Sequence, residues 1–199
     1  MSYVAQYLDD VTKIAATLDR ADIEKMIDVL LEVRRDEGRL FIIGVGGSAG
    51  NASHAVNDFR KIVGIESYAP SDNVSELTAR TNDEGFNTIY SEWLRTSHVR
   101  KGDAVLVFSV GGGNRDAGIS VNLVEAIDAA RTAGARILGI VGRDGGYTKK
   151  TGDAVVVVPT PNPDRVTPHA ESFQAVIWHL LVSDPRLMQA ENKWESTKK

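Results

Sequence analysis

The sequence predicts an α/β fold: a doubly wound parallel sheet with two extra N-terminal helices. Three observations carry that expectation. The runs at 40–44, 103–109, 135–141 and 154–158 are apolar at nearly every position, the pattern of strands covered on both faces. Segments with apolar residues three and four apart alternate with them, so strand and helix follow each other along the chain. Two of the runs break into glycine, at Gly46-Gly47 and at Gly111-Gly112-Gly113, and each break opens into a helix. The repetition suggests two related halves with right-handed crossovers, and a ligand at the switch point between the two loops.

Apolar positions Val4, Leu8, Val11, Ile14, Ala15 and Leu18 predict an amphipathic helix over 3–18. Asp22 is read as the cap of a second helix, with Ile23, Met26, Ile27, Leu30, Leu31 and Val33 as its stripe and Gly38 as its end. Both precede the first strand, so they pack outside the sheet or against another subunit. The strand at 40–44 leads into a helix from 47 to about 62, where Arg60 and Lys61 suit the negative end of the dipole. Residues 65–69 read as a short strand and Ser71-Asp72-Asn73 as a turn. Thr81-Asn82-Asp83-Glu84-Gly85-Phe86 reads as a loop before a helix carrying Ile89, Trp93 and Leu94.

The strand at 103–109 and its glycine loop are followed by a helix from about Ser120, with Leu123, Ile127 and Ala130 facing inward. After the strand at 135–141, the run 154–158 ends at Pro159, and Pro161, Pro163 and Pro168 mark a loop. The last helix runs from about Ala170 to Ser183, where Asp184-Pro185 stops it. No linker divides the chain, so one domain is expected over 1–199. It comprises a helical pair at 1–38, an α/β core at 39–188 and a polar tail at 189–199 that frays.

With 199 residues the chain can bury one sizeable core. Lys plus Arg total 23 and Asp plus Glu 27, a net charge of -4 that argues against nucleic acid as a partner. The absence of cysteine excludes disulfides and thiolate metal sites. Met1-Ser2-Tyr3-Val4-Ala5-Gln6 has neither the basic nor the apolar region of a secretion signal, and no apolar run reaches transmembrane length. The expectation is a soluble cytoplasmic protein without a membrane partner.

The first glycine break is the stretch around which the chain is organised. Gly46 and Gly47 let backbone N–H groups approach a ligand, and Ser48 adds a hydroxyl where the helix starts, a natural anion site. The spacing is neither the Rossmann fingerprint nor a P-loop; the alternative is a plain tight turn. One turn later, His54 and Asp58 stand at i and i+4 on one helix face, about 5–6 Å apart at Cβ. They are proton-handling or metal-binding groups, or else part of a solvated polar face.

The ordered motifs resemble the sugar isomerase (SIS) domain, and within it the phosphoheptose isomerases. They are two N-terminal helices, G-x-G-G-S, H-x-x-x-D, Asn82-Asp83-Glu84-Gly85-Phe86, the strand ending in Ser109, Asn122-Leu123-Val124-Glu125-Ala126-Ile127, Gly142-Arg143-Asp144-Gly145-Gly146 and His179-Leu180-Leu181. The resemblance implies an SIS-type, flavodoxin-like sandwich and a homotetramer. It also implies that His54, Asp58, Glu171 and His179 stand where the family holds a zinc ion, with the acidic and His positions as base and acid. Ligand atoms of His54 and His179 are then expected within roughly 4 Å of each other. Asp58 stands where the family has Glu, Glu171 where it has Gln, and Val45 where it has Asn. The second loop, Ser109-Val110-Gly111-Gly112-Gly113, lacks two of the family's hydroxyl donors and carries extra residues before Ser120.

The remaining residues are weighed one by one. Ser48, Ser109 and Ser120 are ordinary caps singly. Together, with Gly46, Gly47, Gly111 and Gly112, they read as phosphate ligands. Asp83 and Asp164 match family positions that face the sugar, or are turn residues. His98 is read as a surface residue and His169 as structural or substrate-gating. Trp93 and Trp178 are read as core. The function implied is aldose–ketose isomerisation of a phosphosugar, most plausibly sedoheptulose 7-phosphate, with Asp58 as base and His179 as acid. The alternatives are a non-catalytic SIS protein that binds a phosphosugar or a protein partner, and an isomerase of another sugar phosphate in secondary metabolism. The apolar stripes of the two N-terminal helices independently favour a homo-oligomer.

Overall fold

The computed structural model describes residues 1–190, in which the four apolar runs and a short segment at 67–68 form one parallel sheet of five strands. The strands are β1 (Leu40–Gly44), β2 (Ser67–Tyr68), β3 (Ala104–Ser109), β4 (Arg136–Val141) and β5 (Ala154–Val157). Their order across the sheet is β2-β1-β3-β4-β5, the flavodoxin-like arrangement, whose switch point falls between β1 and β3. Register brings Gly44 beside Phe108 and Ser109 beside Val141, so the two glycine loops leave the sheet side by side.

Among the described residues, eight helices surround the sheet: α1 (Tyr3–Thr17), α2 (Arg20–Arg35), α3 (Gly47–Asp58), α4 (Val74–Asp83), α5 (Ile89–Thr96), α6 (Val121–Thr132), α7 (Gly146–Thr151) and α8 (Val166–Ser183). Alternate strand residues enter opposite cores because strand side chains alternate faces. Leu40, Ile42, Leu106 and Phe108 share a core with Met26 and Leu30 of α2, Ala52 and Ala55 of α3, and Ile177 and Trp178 of α8. Phe41, Ile43, Val105 and Val107 pack on the other face against Ile89 and Leu94 of α5 and Leu123 and Ile127 of α6. Among the described residues no helix is long and apolar enough to cross a membrane.

Several local expectations are corrected. Asp19, not Asp22, caps α2, accepting from the N–H groups of Ala21 and Asp22; the Asp22 carboxylate instead pairs with Lys149 at 2.7 Å. Helix α4 occupies 74–80, a stretch given no reading, and the first three residues of the loop expected at 81–86. Asn73 caps it by accepting from the Glu76 N–H, and that Asn-x-x-Glu spacing was a legible start signal. Helix α7 was not anticipated. Helix α8 begins at Val166 rather than Ala170, and it includes Pro168 because first-turn N–H groups have no helical partner to lose. The expected tail starts docked: the N–H groups of Gln189 and Ala190 donate to the Ile62 carbonyl. Residues 191–199 of that tail lie outside the described residues.

Candidate active site at the ends of β1 and β3

The first glycine loop is held from three sides. Gly46 has φ 64° and ψ -128°, a conformation open essentially to glycine alone. The buried Tyr90 hydroxyl of α5 donates to the Gly44 carbonyl, and burial pushes its phenol up to about 12, so it remains a donor. Ser48 is buried, and its Oγ accepts from Gln174 Nε2 of α8 at 3.0 Å. Asn51 Nδ2 closes the same seam, donating to Gln174 Oε1 at 2.8 Å and to the Glu171 carbonyl at 3.0 Å. Sequence reasoning missed Gln174 and Asn51. Their signal was a polar Gln within an otherwise apolar helix face.

Along that seam α3 and α8 bring His54, Asp58 and His179 together. Asp58 Oδ2 lies 3.7 Å from His54 Nε2 and 3.5 Å from His179 Nε2. The imidazole centroids are 5.6 Å apart. The two His side chains are 58% and 52% exposed and Asp58 only 11%, so a buried carboxylate faces two accessible rings. Asp58 Oδ1 accepts from Asn57 Nδ2 at 3.1 Å, and Oδ2 accepts from Trp178 Nε1 at 3.0 Å. A π turn, Phe59–Val63, follows Asp58 directly; such turns recur at functional sites. Chemically, the cluster can transfer protons or hold a divalent cation. One donor atom from each of the three residues lies within 4.8 Å of the others, the one such group among the described residues. Two imidazoles and a carboxylate at this spacing fit a zinc site of three protein ligands with an open position.

Glu171 does not join this group. Eight residues of α-helix rise about 12 Å, so Glu171 sits two turns below His179 at the level of the glycine loop. Its carboxylate lies against Gly47, where an added Cβ would come 2.5 Å from Oε2. Of the four residues expected as a ligand set, the structure brings three together and places Glu171 beside the N-terminus of α3.

The second glycine loop is internally satisfied. Ser109 Oγ accepts from the N–H groups of Gly111 and Gly112 at 3.4 and 3.0 Å. Helix α7 donates back, from Thr148 N–H to the Gly112 carbonyl and from Tyr147 N–H to the Gly113 carbonyl. The backbones touch so closely that a Cβ on Gly112 would lie 1.9 Å from the Gly145 oxygen. The extra residues form a small antiparallel bridge, Asn114 to Ile119, tied to α6 by Arg115, which pairs with Glu125 at 2.8 Å and with Asp128. Ser120 precedes α6 with φ 48°, and its side chain makes no capping bond, contrary to the cap reading. Asp83, at the exposed end of α4, accepts from Asn82, and the exposed Asp164 lies in a short turn before α8; no hydrogen bond joins either to the cluster. His169 is buried near Asp10 and Arg165, and His98 is exposed as expected.

A sequence profile of the SIS domain matches residues 2–142. The phosphoheptose isomerase of Trichlorobacter lovleyi is 32% identical over 189 residues, 90% of this chain and 90% of the relative. A lincomycin biosynthesis protein of Streptomyces lincolnensis is 29% identical over 191 residues, 91% of this chain and 68% of the relative. Among solved structures, the phosphoheptose isomerase of Neisseria gonorrhoeae superposes with a TM-score of 0.76 at 24% identity, covering 90% of this chain and 92% of that one.

Proposed function

The chain belongs to the SIS domain family, and from that premise we propose that it is an aldose–ketose isomerase acting on a phosphosugar, sedoheptulose 7-phosphate first among substrates. The observation that carries this reading is the buried Asp58 carboxylate facing two accessible imidazoles beside the β1 glycine loop. Relatives of 30% identity or more that bear the name phosphoheptose isomerase support the substrate class.

Isomerisation moves a proton from C1 to C2 of the ketose through an enediol. Asp58 takes the C1 proton as base while His179 gives a ring N–H proton to the C2 carbonyl oxygen. The O1 hydroxyl of the enediol then returns a proton to the His179 ring, the proton on Asp58 exchanges with water, C2 receives a proton from Asp58, and the C1 aldehyde forms. His54, Asp58 and His179 would hold the zinc ion, which when bound polarises the carbonyl as a Lewis acid. Gly46, Gly47, Ser48, Ser109, Gly111, Gly112 and Ser120 are the phosphate-side residues of this reading, with Asp83 and Asp164 on the sugar side and Glu171 beside the phosphate loop at Gly47.

A cytoplasmic homotetramer completes the reading. Its support is the exposed apolar face of α1, where Tyr3, Val4 and Leu8 stand unburied. A second reading, isomerisation of another sugar phosphate in secondary metabolism, is favoured by the enlarged second loop and the likeness to the lincomycin biosynthesis protein. The test is a panel of ketose phosphates, with and without zinc, followed for aldose formation. Fastest turnover of sedoheptulose 7-phosphate supports the first reading. Fastest turnover of a different ketose phosphate supports the second. No turnover of any leaves the non-catalytic binding protein.

A further inference from the structure

Trp178 sits at the centre of the candidate site without being one of its titratable groups. Its side chain is buried, stacked on Phe108 at 5.8 Å and flanked by the rings of His54 at 5.3 Å and His179 at 4.8 Å. An indole N–H is a donor only, and a buried one needs an acceptor. Any backbone carbonyl would serve that need. The acceptor here is Asp58 Oδ2 at 3.0 Å, the same oxygen that faces both imidazoles.

We propose that Trp178 is a positioning residue for Asp58. Its N–H and the Asn57 amide hold one carboxylate oxygen each, which fixes the plane of the carboxylate and aims Oδ2 at His54 and His179. The short aspartate side chain keeps its carboxylate close to α3, and the indole is long enough to reach it from α8. The arrangement serves either role of Asp58, since a base and a metal ligand both need an oriented carboxylate, and outer hydrogen-bond partners supply that orientation. The ring also fills the core, so packing and positioning must be separated experimentally.

The kinetic arm of the test rests on the isomerase reading; the spectroscopic arm does not. In nitrogen-15 spectra of the full chain, the indole signal lost in Trp178→Phe identifies Trp178. Loss of the charged acceptor in Asp58→Ala should move that signal upfield, while the signal of Trp93, on the opposite face of the sheet, stays in place. In turnover, Trp178→Phe should lower kcat about 10–100-fold with KM within about twofold. In the Asp58→Ala background the same change should do almost nothing further, because the group it positions is gone. An unmoved indole signal, or an equal loss of kcat in both backgrounds, would overturn the proposal and leave Trp178 a packing residue. Should Trp178→Phe fail to fold, Trp93→Phe and Trp194→Phe assign the signal by elimination and the Asp58→Ala shift decides alone. Absence of turnover in the unmutated protein counts against the isomerase reading, and the indole shift still decides this one.

Discussion

His179 Nε2 of α8 lies 3.5 Å from Asp58 Oδ2 of α3, joining two helices that meet beside the first glycine loop. The pair forms because Ser48, Asn51 and Gln174 lock the seam between those helices two turns away. If Asp58 moves the substrate proton, Asp58→Asn lowers kcat by roughly 10²–10⁴, the usual worth of a positioned proton-transfer group. Steady-state rates on the best ketose phosphate measure this; a loss smaller than tenfold removes Asp58 from the base role.

Zinc should bind stoichiometrically through three residues. Calorimetric titration of the metal-stripped protein is expected to show one site per chain, weakened more than tenfold in His54→Ala or His179→Ala. Glu171→Gln should leave zinc affinity unchanged, since its carboxylate lies against Gly47 rather than in the cluster. Equal weakening by Glu171→Gln restores the four-ligand set and contradicts the observed placement.

Glu171 instead bears on the substrate. Its negative charge beside the start of α3 opposes a phosphate there, and two unit charges 4 Å apart in water interact by about 1 kcal/mol. Glu171→Gln is therefore expected to lower KM for a phosphorylated ketose about fivefold with little change in kcat. A raised KM would mean the carboxylate accepts a substrate hydroxyl rather than repelling an anion.

Tyr90 carries a stability prediction. Phenylalanine there leaves the Gly44 carbonyl without its donor, at a cost of about 1–3 kcal/mol in urea unfolding near pH 7. The phenol is raised from 10.0 to about 12 in the fold, so the folded state favours its protonated form. That contribution is complete below pH 10 and is lost as pH rises through 12. Stability of the unmutated protein should fall over that window more steeply than that of Tyr90→Phe. Parallel curves would show that the hydroxyl is not held as described.

The strands were legible because buried parallel strands are written as unbroken apolar runs, and β1, β3, β4 and β5 fall where those runs stand. His54 and Asp58 were legible from i, i+4 spacing alone, whereas His179 needed the family resemblance, since nothing local tells a ligand histidine from a core one. Glu171 entered the metal set through the family resemblance alone, and the structure puts its carboxylate against Gly47, apart from the cluster of His54, Asp58 and His179. Helix α4 was missed because it buries none of its residues and so has no apolar stripe to read. Trp178 was correctly read as core. Its N–H bond to Asp58 depends on how α3 meets α8, which no single segment encodes.

The central claim is proton transfer between C1 and C2 of a ketose phosphate at Asp58 and His179. It is tested most directly by incubating the zinc-loaded protein with sedoheptulose 7-phosphate in deuterated water and following both sugars by NMR. The account predicts aldose carrying solvent deuterium at C2, exchange at C1 of the remaining ketose, and neither in Asp58→Asn. Unlabelled sugar with no aldose formed, under conditions where zinc is bound, would contradict it.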